Sequence, residues 1–422
     1  MLSGQGLVYL FMKIVLSHPT GNEFVRGLIK ELSAQGMLAE FDTTVAANPS
    51  SPWLKLLPGN LRQEWLRRTY PVPQSQVNSY PFREISRMLM PRLGLKSAVK
   101  QETGWASVDA VYRGLDGIVA KRLRGMVNGN KPDAVYAYED GALQSFGRAK
   151  KQGINCLYDL PIGYWRAARE MLGAERERWP DWAATLTGLR DSEAKLARKD
   201  EEIKLADAIF VASSFTKNTL SYYPGALPPV SVVPYAFPPV VGQREYKAGK
   251  GPLKLLFVGG LSQRKGIADM FAAVERLGSK VQLTVVGSKL VDNCAVLNEA
   301  LAKHRYIPSL PHAGVLKLMR EHDVLLFPSL FEGFGLVITE AMAQGTPVIT
   351  TDRTAGPDVI THGEDGWLIP AGSTEKLIQA IEDILARPAI VEQAGRAAMN
   401  TAAKRTWDTY GAELVAAIIR NN

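Results

Sequence analysis

The sequence has few of the residues that build disulfide frameworks or metal sites. Its 422 residues include two cysteines, Cys156 and Cys294, which lie far apart and without metal-ligand spacing. A small disulfide-stapled domain and a zinc module are therefore excluded, and a reducing compartment is favoured. No Asp-x-Asp occurs, and no His, Cys and Asp cluster has the spacing of a metal site. We accordingly expect no bound metal and no separate cofactor.

Long apolar runs are also missing. No stretch approaches the roughly 18 to 20 residues that a transmembrane helix needs. The run 7–16 is interrupted by Lys13, lacks a small-residue cleavage site and passes directly into a loop at His18, so it does not resemble a signal peptide. We expect a first strand at 13–16 and an extension over residues 1–11. The expected location is the cytoplasm, with peripheral attachment to the inner face of the plasma membrane left open.

Neither apolar nor charged residues are scarce overall. The hydrophobic content of 46% and the charged content of 22% exclude a largely disordered chain. The length predicts two domains. Many apolar runs alternate with longer amphipathic segments, which is typical of βαβ units and parallel sheets. The fold class is therefore expected to be α/β.

The net charge of +8 is concentrated in one region. Residues 50–125 contain 13 Lys and Arg against 5 Asp and Glu. This basic region is either a solvated face or a surface for anionic lipid headgroups or an anionic acceptor. Apolar side chains that would support lipid contact are Trp53, Trp65, Leu66, Met88 and Met90. No nucleic-acid-binding motif accompanies the charge, so we do not expect a nucleic-acid partner.

The expected strands divide the chain into two halves. In the first half they lie near residues 13–16, 43–46, 134–137, 156–158, 208–212 and 230–233. The second half follows a linker at 241–251, rich in glycine and charge, and its strands lie near 253–258, 281–286, 324–327, 348–350 and 367–369. The stretch 50–125 fits the alternation poorly, and we expect it to be an elaboration on the first domain.

The segment 331–340 carries the most chemical information. Glu332 and Glu340 bracket a glycine-rich turn that follows the apolar run 324–327 and leads into a helical pattern. A strand, a turn and a helix N-terminus present backbone N–H groups and a positive dipole end, which suits a phosphate or diphosphate. Ionised carboxylates only accept hydrogen bonds, so the two glutamates fit sugar or ribose hydroxyls.

This Glu-x7-Glu pattern, with Asp323 before the strand and the run 340–349 beyond it, resembles the signature of retaining, nucleotide-sugar-dependent glycosyltransferases of family four. The resemblance is strongest over residues 205–370. It implies the GT-B fold, in which two Rossmann-like doubly wound domains face each other across a cleft. Residues 1–240 would bind the acceptor, residues 252–405 the nucleotide sugar, and residues 406–422 would form a helix that crosses back to the first domain.

The resemblance also implies roles for individual residues. Glu340 would accept hydrogen bonds from the ribose hydroxyls, and Glu332 would contact the donor sugar near its reacting face. Backbone amides would bind sugar hydroxyls and phosphate oxygens at Gly333, Phe334, Gly335 and Leu336. The donor would be a UDP-, GDP- or ADP-sugar, and the acceptor a glycan or a lipid-linked oligosaccharide.

A second motif, 257–266, follows an expected strand and precedes an expected helix. Its cations Arg264 and Lys265 would stabilise the charge that a nucleoside diphosphate gains as it leaves, and we count them with Glu332 as the catalytic candidates. Many members of the family place an arginine where this chain has Gly260, and Arg264 is the alternative source of that charge.

The acceptor side is less clearly marked. Gly21 and Asn22 follow the first strand, where a glycine allows a ligand to approach the backbone closely. His18 is a further candidate in the same loop. The family often carries a histidine after a central strand, and the corresponding stretch 156–165 has none. Asp159 and Tyr164 are the polar candidates there.

Two other functions remain open at this point. A nucleotide-sugar epimerase or a phosphorylase can share the same two-domain scaffold, since a fold does not determine a function. A non-catalytic nucleotide-sugar sensor is the third reading, although a sensor has no need of cations that stabilise a leaving group.

Overall fold

The computed structural model describes residues 12–52, 59–126, 131–240, 242–246, 249 and 251–421. The expected extension 1–11 and Trp53 lie outside the described residues, as do four positions of the expected linker.

The first domain is built on a parallel sheet of seven strands. They are β1 (Ile14–Ser17), β2 (Leu38–Thr43), β3 (Val77–Ser79), β4 (Ala134–Tyr138), β5 (Asn155–Leu160), β6 (Ala208–Val211) and β7 (Val230–Val232). Their order across the sheet is β3-β2-β1-β4-β5-β6-β7, and each neighbouring pair is parallel. From β1 the strand order runs to one edge of the sheet through β2 and β3, and from β4 it runs to the other edge. Doubly wound sheets bind ligands at this switch point, between β1 and β4.

Among its described residues, the first domain has eight α-helices. They are α1 (Glu23–Ala34), α2 (Gly59–Leu66), α3 (Phe82–Leu89), α4 (Val108–Gly125), α5 (Leu143–Lys151), α6 (Trp165–Arg178), α7 (Glu193–Leu205) and α8 (Ser214–Thr219). Helices α4 and α7 begin at serine caps, because the hydroxyls of Ser107 and Ser192 accept hydrogen bonds from backbone N–H groups of the first turn.

The second domain repeats the same topology with six parallel strands. They are β8 (Leu253–Val258), β9 (Val281–Val286), β10 (Arg305–Ile307), β11 (Val324–Phe327), β12 (Val348–Thr351) and β13 (Gly366–Ile369). Their order is β10-β9-β8-β11-β12-β13, with Leu256 of β8 aligned with Leu325 of β11. The loops after β8 and β11 therefore meet at the switch point of this sheet.

Eight helices complete the fold. They are α9 (Ile267–Leu277), α10 (Ala295–Ala302), α11 (His312–Glu321), α12 (Leu336–Ala343), α13 (Gly356–Val359), α14 (Thr374–Ala386), α15 (Ala389–Lys404) and α16 (Trp407–Arg420). Helix α16 packs on α1 of the first domain at a point where two glycines let the backbones approach. A Cβ on Gly411 would lie 2.7 Å from the carbonyl oxygen of Gly27. Lys30 and Asp408 form an ion pair beside this contact.

The two doubly wound parallel sheets confirm the predicted fold class. Two details differ from the prediction. The strand expected at 43–46 lies earlier, at β2, where Glu40 and Asp42 lower the apparent strand propensity. Both carboxylates pair with Arg122 of α4. The region 50–125 is not wholly an elaboration, since β3 is the edge strand of the first sheet and α4 connects β3 to β4.

Candidate functional site

The loop between β8 and α9 positions the two expected cations. Its tight turn ends at Gly266, which has φ = +68° and caps α9. A Cβ there would overlap the Pro328 carbonyl oxygen of the loop after β11, so only glycine lets the two loops approach so closely. The Arg264 N–H donates to the Ser262 hydroxyl at 3.3 Å, which orders the turn that precedes Lys265.

Arg264 and Lys265 converge on Glu332 from the neighbouring loop. The Arg264 guanidinium donates to the Phe331 carbonyl oxygen at 2.7 Å and to Glu332 Oε2 at 3.1 Å. The Lys265 ammonium contacts the same carboxylate oxygen and lies 4.5 Å from the centre of the Phe327 ring. The side chains of Lys265 and Glu332 are 12% and 14% exposed, so this cluster is largely screened from water.

Burial shapes the electrostatics of this cluster. Burial, and after it the Arg264 cation, lower the pKa of Lys265, and burial also lowers the pKa of Arg264. The direct contact with Glu332 acts in the opposite direction and favours the charged ammonium. With Lys265 protonated, the cluster holds two cations that share one carboxylate. Its surplus positive charge, in a region of low water content, favours an incoming anion.

The N-terminus of α12 lies directly after Glu332. Gly335 caps this helix with φ = +89° and has no side-chain capping bond. The first N–H groups of a helix lack intrahelical partners, and the positive end of the helix dipole adds to their attraction for anions. Gly333, Phe334 and Leu336, whose backbone amides are predicted to bind the donor, belong to the turn that follows Glu332, the residue that both cations contact.

The turn is also pinned to the first domain. A Cβ on Gly333 would overlap the Pro161 carbonyl oxygen, which follows β5. The Gly333 carbonyl oxygen accepts from the Ser213 hydroxyl at 2.5 Å and from the Thr216 hydroxyl at 3.1 Å. The Phe334 ring is buried against Tyr235, with ring centres 4.9 Å apart, so the ring packs in the interior and does not face a ligand.

A cavity of about 1100 Å³ lies between the domains and includes Glu340. From the first domain, Gly21, Asn22 and Arg26 line it. From the second domain, the lining includes Leu336 and Glu340, one turn apart on α12. The cavity therefore reaches from the glycine loop after β1 to the first turn of α12, and its volume is sufficient for a nucleotide-sized ligand.

His312 is a functional candidate that the sequence analysis missed. It is the first residue of α11 and lines the same cavity. Its Nε2 atom lies 3.0 Å from Glu340 Oε1. The short strand β10, which precedes α11, was not predicted, so the position of a histidine at a helix start facing the cleft was not recognised. The Pro311-His312 pair was the available signal, since proline commonly precedes or begins a helix.

The structure places three predicted acceptor-side residues inside the first domain. His18 packs edge-on against Tyr138 with ring centres 4.6 Å apart, and burial lowers its pKa to about 4. Asp159 accepts a hydrogen bond from Tyr136 at 2.6 Å, and burial raises its pKa to about 7. Tyr164 donates to the Asp200 carboxylate at 2.6 Å. The cavity lining contains Gly21 and Asn22 but none of these three side chains.

A partly buried ionic clamp joins helix α6 to the second domain beside the loop 262–266, which carries the two cations. Arg178 donates to both oxygens of Asp269 at 2.7 and 2.6 Å and pairs with Glu175. The Gln263 amide, one residue before Arg264, donates to Glu175 at 3.0 Å. The clamp thus ties the first domain to the loop that carries the cations. Nothing in the local sequence marks these residues as partners, because they are about 90 positions apart.

No described helix is long and apolar enough to cross a bilayer. Within the part of the chain that the structure covers, no three His, Cys, Asp or Glu side chains are placed to hold a metal ion. The expectation of a metal-free reaction stays a prediction.

The two facing doubly wound domains and the helix that returns to the first define the GT-B fold. Over nearly the whole length, the chain is similar to the crystal structure of Anabaena HepE in complex with UDP-glucose. The TM-score is 0.61 at 14% identity, and the alignment covers 96% of this chain and 99% of the other. At this identity the likeness concerns the fold alone.

The second domain carries the sequence similarity. Residues 243–405 match the family model for group 1 glycosyl transferases. The chain is 32% identical over 156 residues to a glycogen synthase of Mycobacterium tuberculosis, covering 35% of this chain and 37% of that protein. It is 30% identical over 167 residues to a phosphatidyl-myo-inositol mannosyltransferase of Mycobacterium leprae, covering 38% and 45%. The matched part thus spans less than half of either relative.

Proposed function

We propose that this protein is a retaining glycosyltransferase that moves a sugar from a nucleoside diphosphate-sugar to an acceptor hydroxyl. The observation that carries the proposal is the convergence of Arg264 and Lys265 on Glu332 at the N-terminus of α12. The Glu332 carboxylate neutralises part of the positive charge of Arg264 and Lys265, and the remaining charge suits a diphosphate. The match of residues 243–405 to group 1 glycosyl transferases supports the same reading.

The donor would lie along α12. Its diphosphate would bind the cations and the amides of Gly333 to Leu336, and Glu340 would exchange its contact with His312 for the ribose hydroxyls. The two ribose hydroxyls would both donate to the Glu340 carboxylate, which would hold the nucleotide in place. The complex of HepE with UDP-glucose is consistent with a UDP-sugar, while GDP- and ADP-sugars remain equal candidates.

The reaction would proceed on one face of the sugar. The bond from the anomeric carbon to the diphosphate oxygen breaks, the acceptor oxygen bonds to the same face, and the acceptor proton passes to the departing phosphate. Lys265 and Arg264 stabilise the negative charge that grows on that phosphate. Glu332 holds the donor sugar near its reacting face, and the step requires neither a protein base nor a metal ion.

The acceptor class is suggested by the relatives' names. One acts in glycogen synthesis and one on a phosphatidylinositol, so a glycan or a lipid-linked acceptor is proposed here. The acceptor would enter beside Gly21 and Asn22, which line the first-domain side of the cavity. A role in polysaccharide, lipopolysaccharide or glycolipid synthesis follows from that acceptor class.

A thermal-stabilisation screen tests the proposal. UDP-, GDP- and ADP-sugars are added singly to the full chain, and one of them is expected to raise Tm. At a concentration one hundred times its Kd, that ligand adds about 2.7 kcal/mol to the free energy of unfolding. The same donor should stabilise the Glu340→Gln variant much less. No stabilisation by any nucleotide sugar would contradict the proposed donor site.

The selected donor then separates the alternatives. Labelled donor is incubated with candidate glycan acceptors, and in parallel with inorganic phosphate alone. A new glycoside with the donor's anomeric configuration is expected from the first mixture. Formation of sugar phosphate in the second mixture would indicate a phosphorylase. An isomerised donor would indicate an epimerase, and a donor that stays unchanged in both mixtures would indicate a sensor.

A further inference from the structure

An apolar surface is exposed on one side of the first domain, from the start of α3 to the start of α4. Nine large apolar side chains of the described residues are exposed, and six of them lie here, at 44% to 75% exposure. They are Phe82, Leu89, Leu93, Leu95, Trp105 and Val108. We call these residues the 82–108 surface. Such a concentration of apolar side chains in contact with water indicates a binding surface.

The charges of this surface are sorted by sign. Arg83, Arg92, Lys96 and Lys100 are exposed among the apolar side chains. The two acids of residues 82–108 are both engaged by other side chains or backbone groups. Glu84 is buried at 3% exposure and bonded to Arg87 at 2.7 Å, and Glu102 accepts from the Ser192 backbone N–H at 3.0 Å and from the Ser192 hydroxyl. The four cations face outward. Apolar and cationic groups presented together, with aromatic rings among them, match the boundary between headgroups and acyl chains of an anionic bilayer.

An apolar groove lies beside this surface, next to the interdomain cavity. The groove has a volume of about 200 Å³ and is lined by Trp65, Met88 and Leu89 together with two arginines, Arg68 and Arg92. The residues between Trp65 and Arg68 in the sequence, 66 and 67, line the interdomain cavity instead. The end of α2 therefore separates a groove of apolar and cationic character from the cleft.

We propose that the 82–108 surface docks on an anionic phospholipid bilayer. Phe82, Leu93, Leu95 and Trp105 would enter the headgroup boundary, and the exposed cations would lie against the lipid phosphates. A bilayer is favoured over a protein partner because exposed cations are mixed with the apolar groups, while the two acids of this stretch, Glu84 and Glu102, are bonded to Arg87 and Ser192. The docking requires no sugar transfer, so it stands apart from the proposed reaction. It would hold the cleft next to the membrane.

Vesicle sedimentation tests the docking. The full chain is mixed with vesicles of phosphatidylcholine alone, or of phosphatidylcholine with phosphatidylglycerol, at low and high salt. Binding is expected for the anionic vesicles and should weaken with salt, because the cations contribute through screened attraction. The double variant Arg92→Glu/Lys96→Glu should lower the partition coefficient about tenfold or more. The triple variant Phe82→Ser/Leu93→Ser/Leu95→Ser should abolish binding.

Two controls separate a specific loss of vesicle binding from a general effect of the substitutions. Leu227→Ser removes an exposed leucine elsewhere on the first domain and should bind vesicles as the unchanged protein does. All variants should keep the Tm of the unchanged protein, since the replaced side chains are exposed. The proposal is overturned if the unchanged protein ignores anionic vesicles, if the variants bind as well as it does, or if the triple variant instead dissolves a dimer seen by light scattering.

Discussion

At the scale of single residues, the contact between Lys265 and Glu332 is the most consequential pair of the site. In the proposed reaction the lysine turns from the carboxylate to the departing phosphate. Lys265→Ala is expected to lower kcat about 100-fold or more, with a smaller change in the donor KM, because the charge acts mainly in the transition state. Initial rates with the selected donor measure this. Lys280→Ala, at an exposed turn, should behave as the unchanged enzyme does, and equal rates for both variants would remove the role of Lys265.

Asp159 makes stability depend on pH. Burial raises its pKa from 3.8 to about 7, so the folded protein holds a proton there that the unfolded chain releases near pH 4. The stability that this protonated carboxyl contributes is fully present below the pKa of Asp159 in the unfolded chain. It is lost as the pH rises through the pKa of Asp159 in the folded protein. Asp159→Asn is neutral throughout and keeps an acceptor for Tyr136. Between pH 5 and pH 8, the unchanged protein should lose about 2 to 3 kcal/mol of unfolding free energy relative to this variant.

Urea unfolding at several pH values measures that difference. Asp408→Asn is the matched control, since the Asp408 carboxylate is 69% exposed. A constant difference between Asp159→Asn and the unchanged protein across this range would mean that Asp159 is ionised in the fold.

Residues that share one loop or one helix could be predicted from the sequence. Glu332 and Glu340 are eight positions apart, and a strand, a turn and a helix bring them to one edge of the sheet without help from distant residues. The burial of His18 could not be predicted, because it depends on Tyr138 and Tyr112, which other elements supply. A polar residue at the end of a strand looks the same in the sequence whether it faces the cleft or the interior.

At the scale of elements, the turn before α12 is the most constrained connection. Gly333→Ala would place a Cβ in the Pro161 carbonyl oxygen, so the turn would have to move away from Ser213 and Thr216. We expect a loss of about 1 to 3 kcal/mol in unfolding free energy and weaker donor binding. Thermal unfolding and a donor titration measure both effects. Gly147→Ala, inside α5 with open space around it, should instead stabilise the protein slightly.

Long elements and short elements differed in how well they could be predicted. Strands β8, β9 and β11 were predicted to the residue because their apolar runs end at glycine or proline, whereas the three-residue edge strands β3 and β10 were missed. The third three-residue edge strand, β7, was predicted because it lies in the apolar run 230–233, whereas β3 and β10 contain polar residues that leave no such run. Strand β2 was displaced because it contains two acids, whose partner Arg122 is about 80 positions away.

At the scale of the whole molecule, the clamp of α6 holds the two domains together beside the cation loop. Arg178→Met would leave the Asp269 carboxylate, which is 3% exposed, without its cation. We expect a loss of about 2 to 3 kcal/mol, together with faster hydrogen exchange in the loop 262–266. The control Arg276→Met breaks a pair whose side chains are 68% and 77% exposed and should change stability by less than about 0.5 kcal/mol. Equal effects of the two variants would show that the clamp does not couple the domains.

The relative placement of the domains was beyond sequence reasoning. The strand order of each sheet follows from alternation and handedness rules, but the contact of Gly333 with Pro161 and the clamp at Arg178 each depend on a single long-range approach. These contacts set how the loops of the two domains are placed around the cavity.

A crystal structure with the nucleoside diphosphate selected by the stabilisation screen tests the central claim most directly. The account predicts the diphosphate within hydrogen-bond distance of Lys265, Arg264 and the first amides of α12, with the ribose hydroxyls on Glu340 and His312 released from it. A nucleotide bound elsewhere, or a Glu340 carboxylate that stays on His312 with the diphosphate far from Lys265, would contradict it.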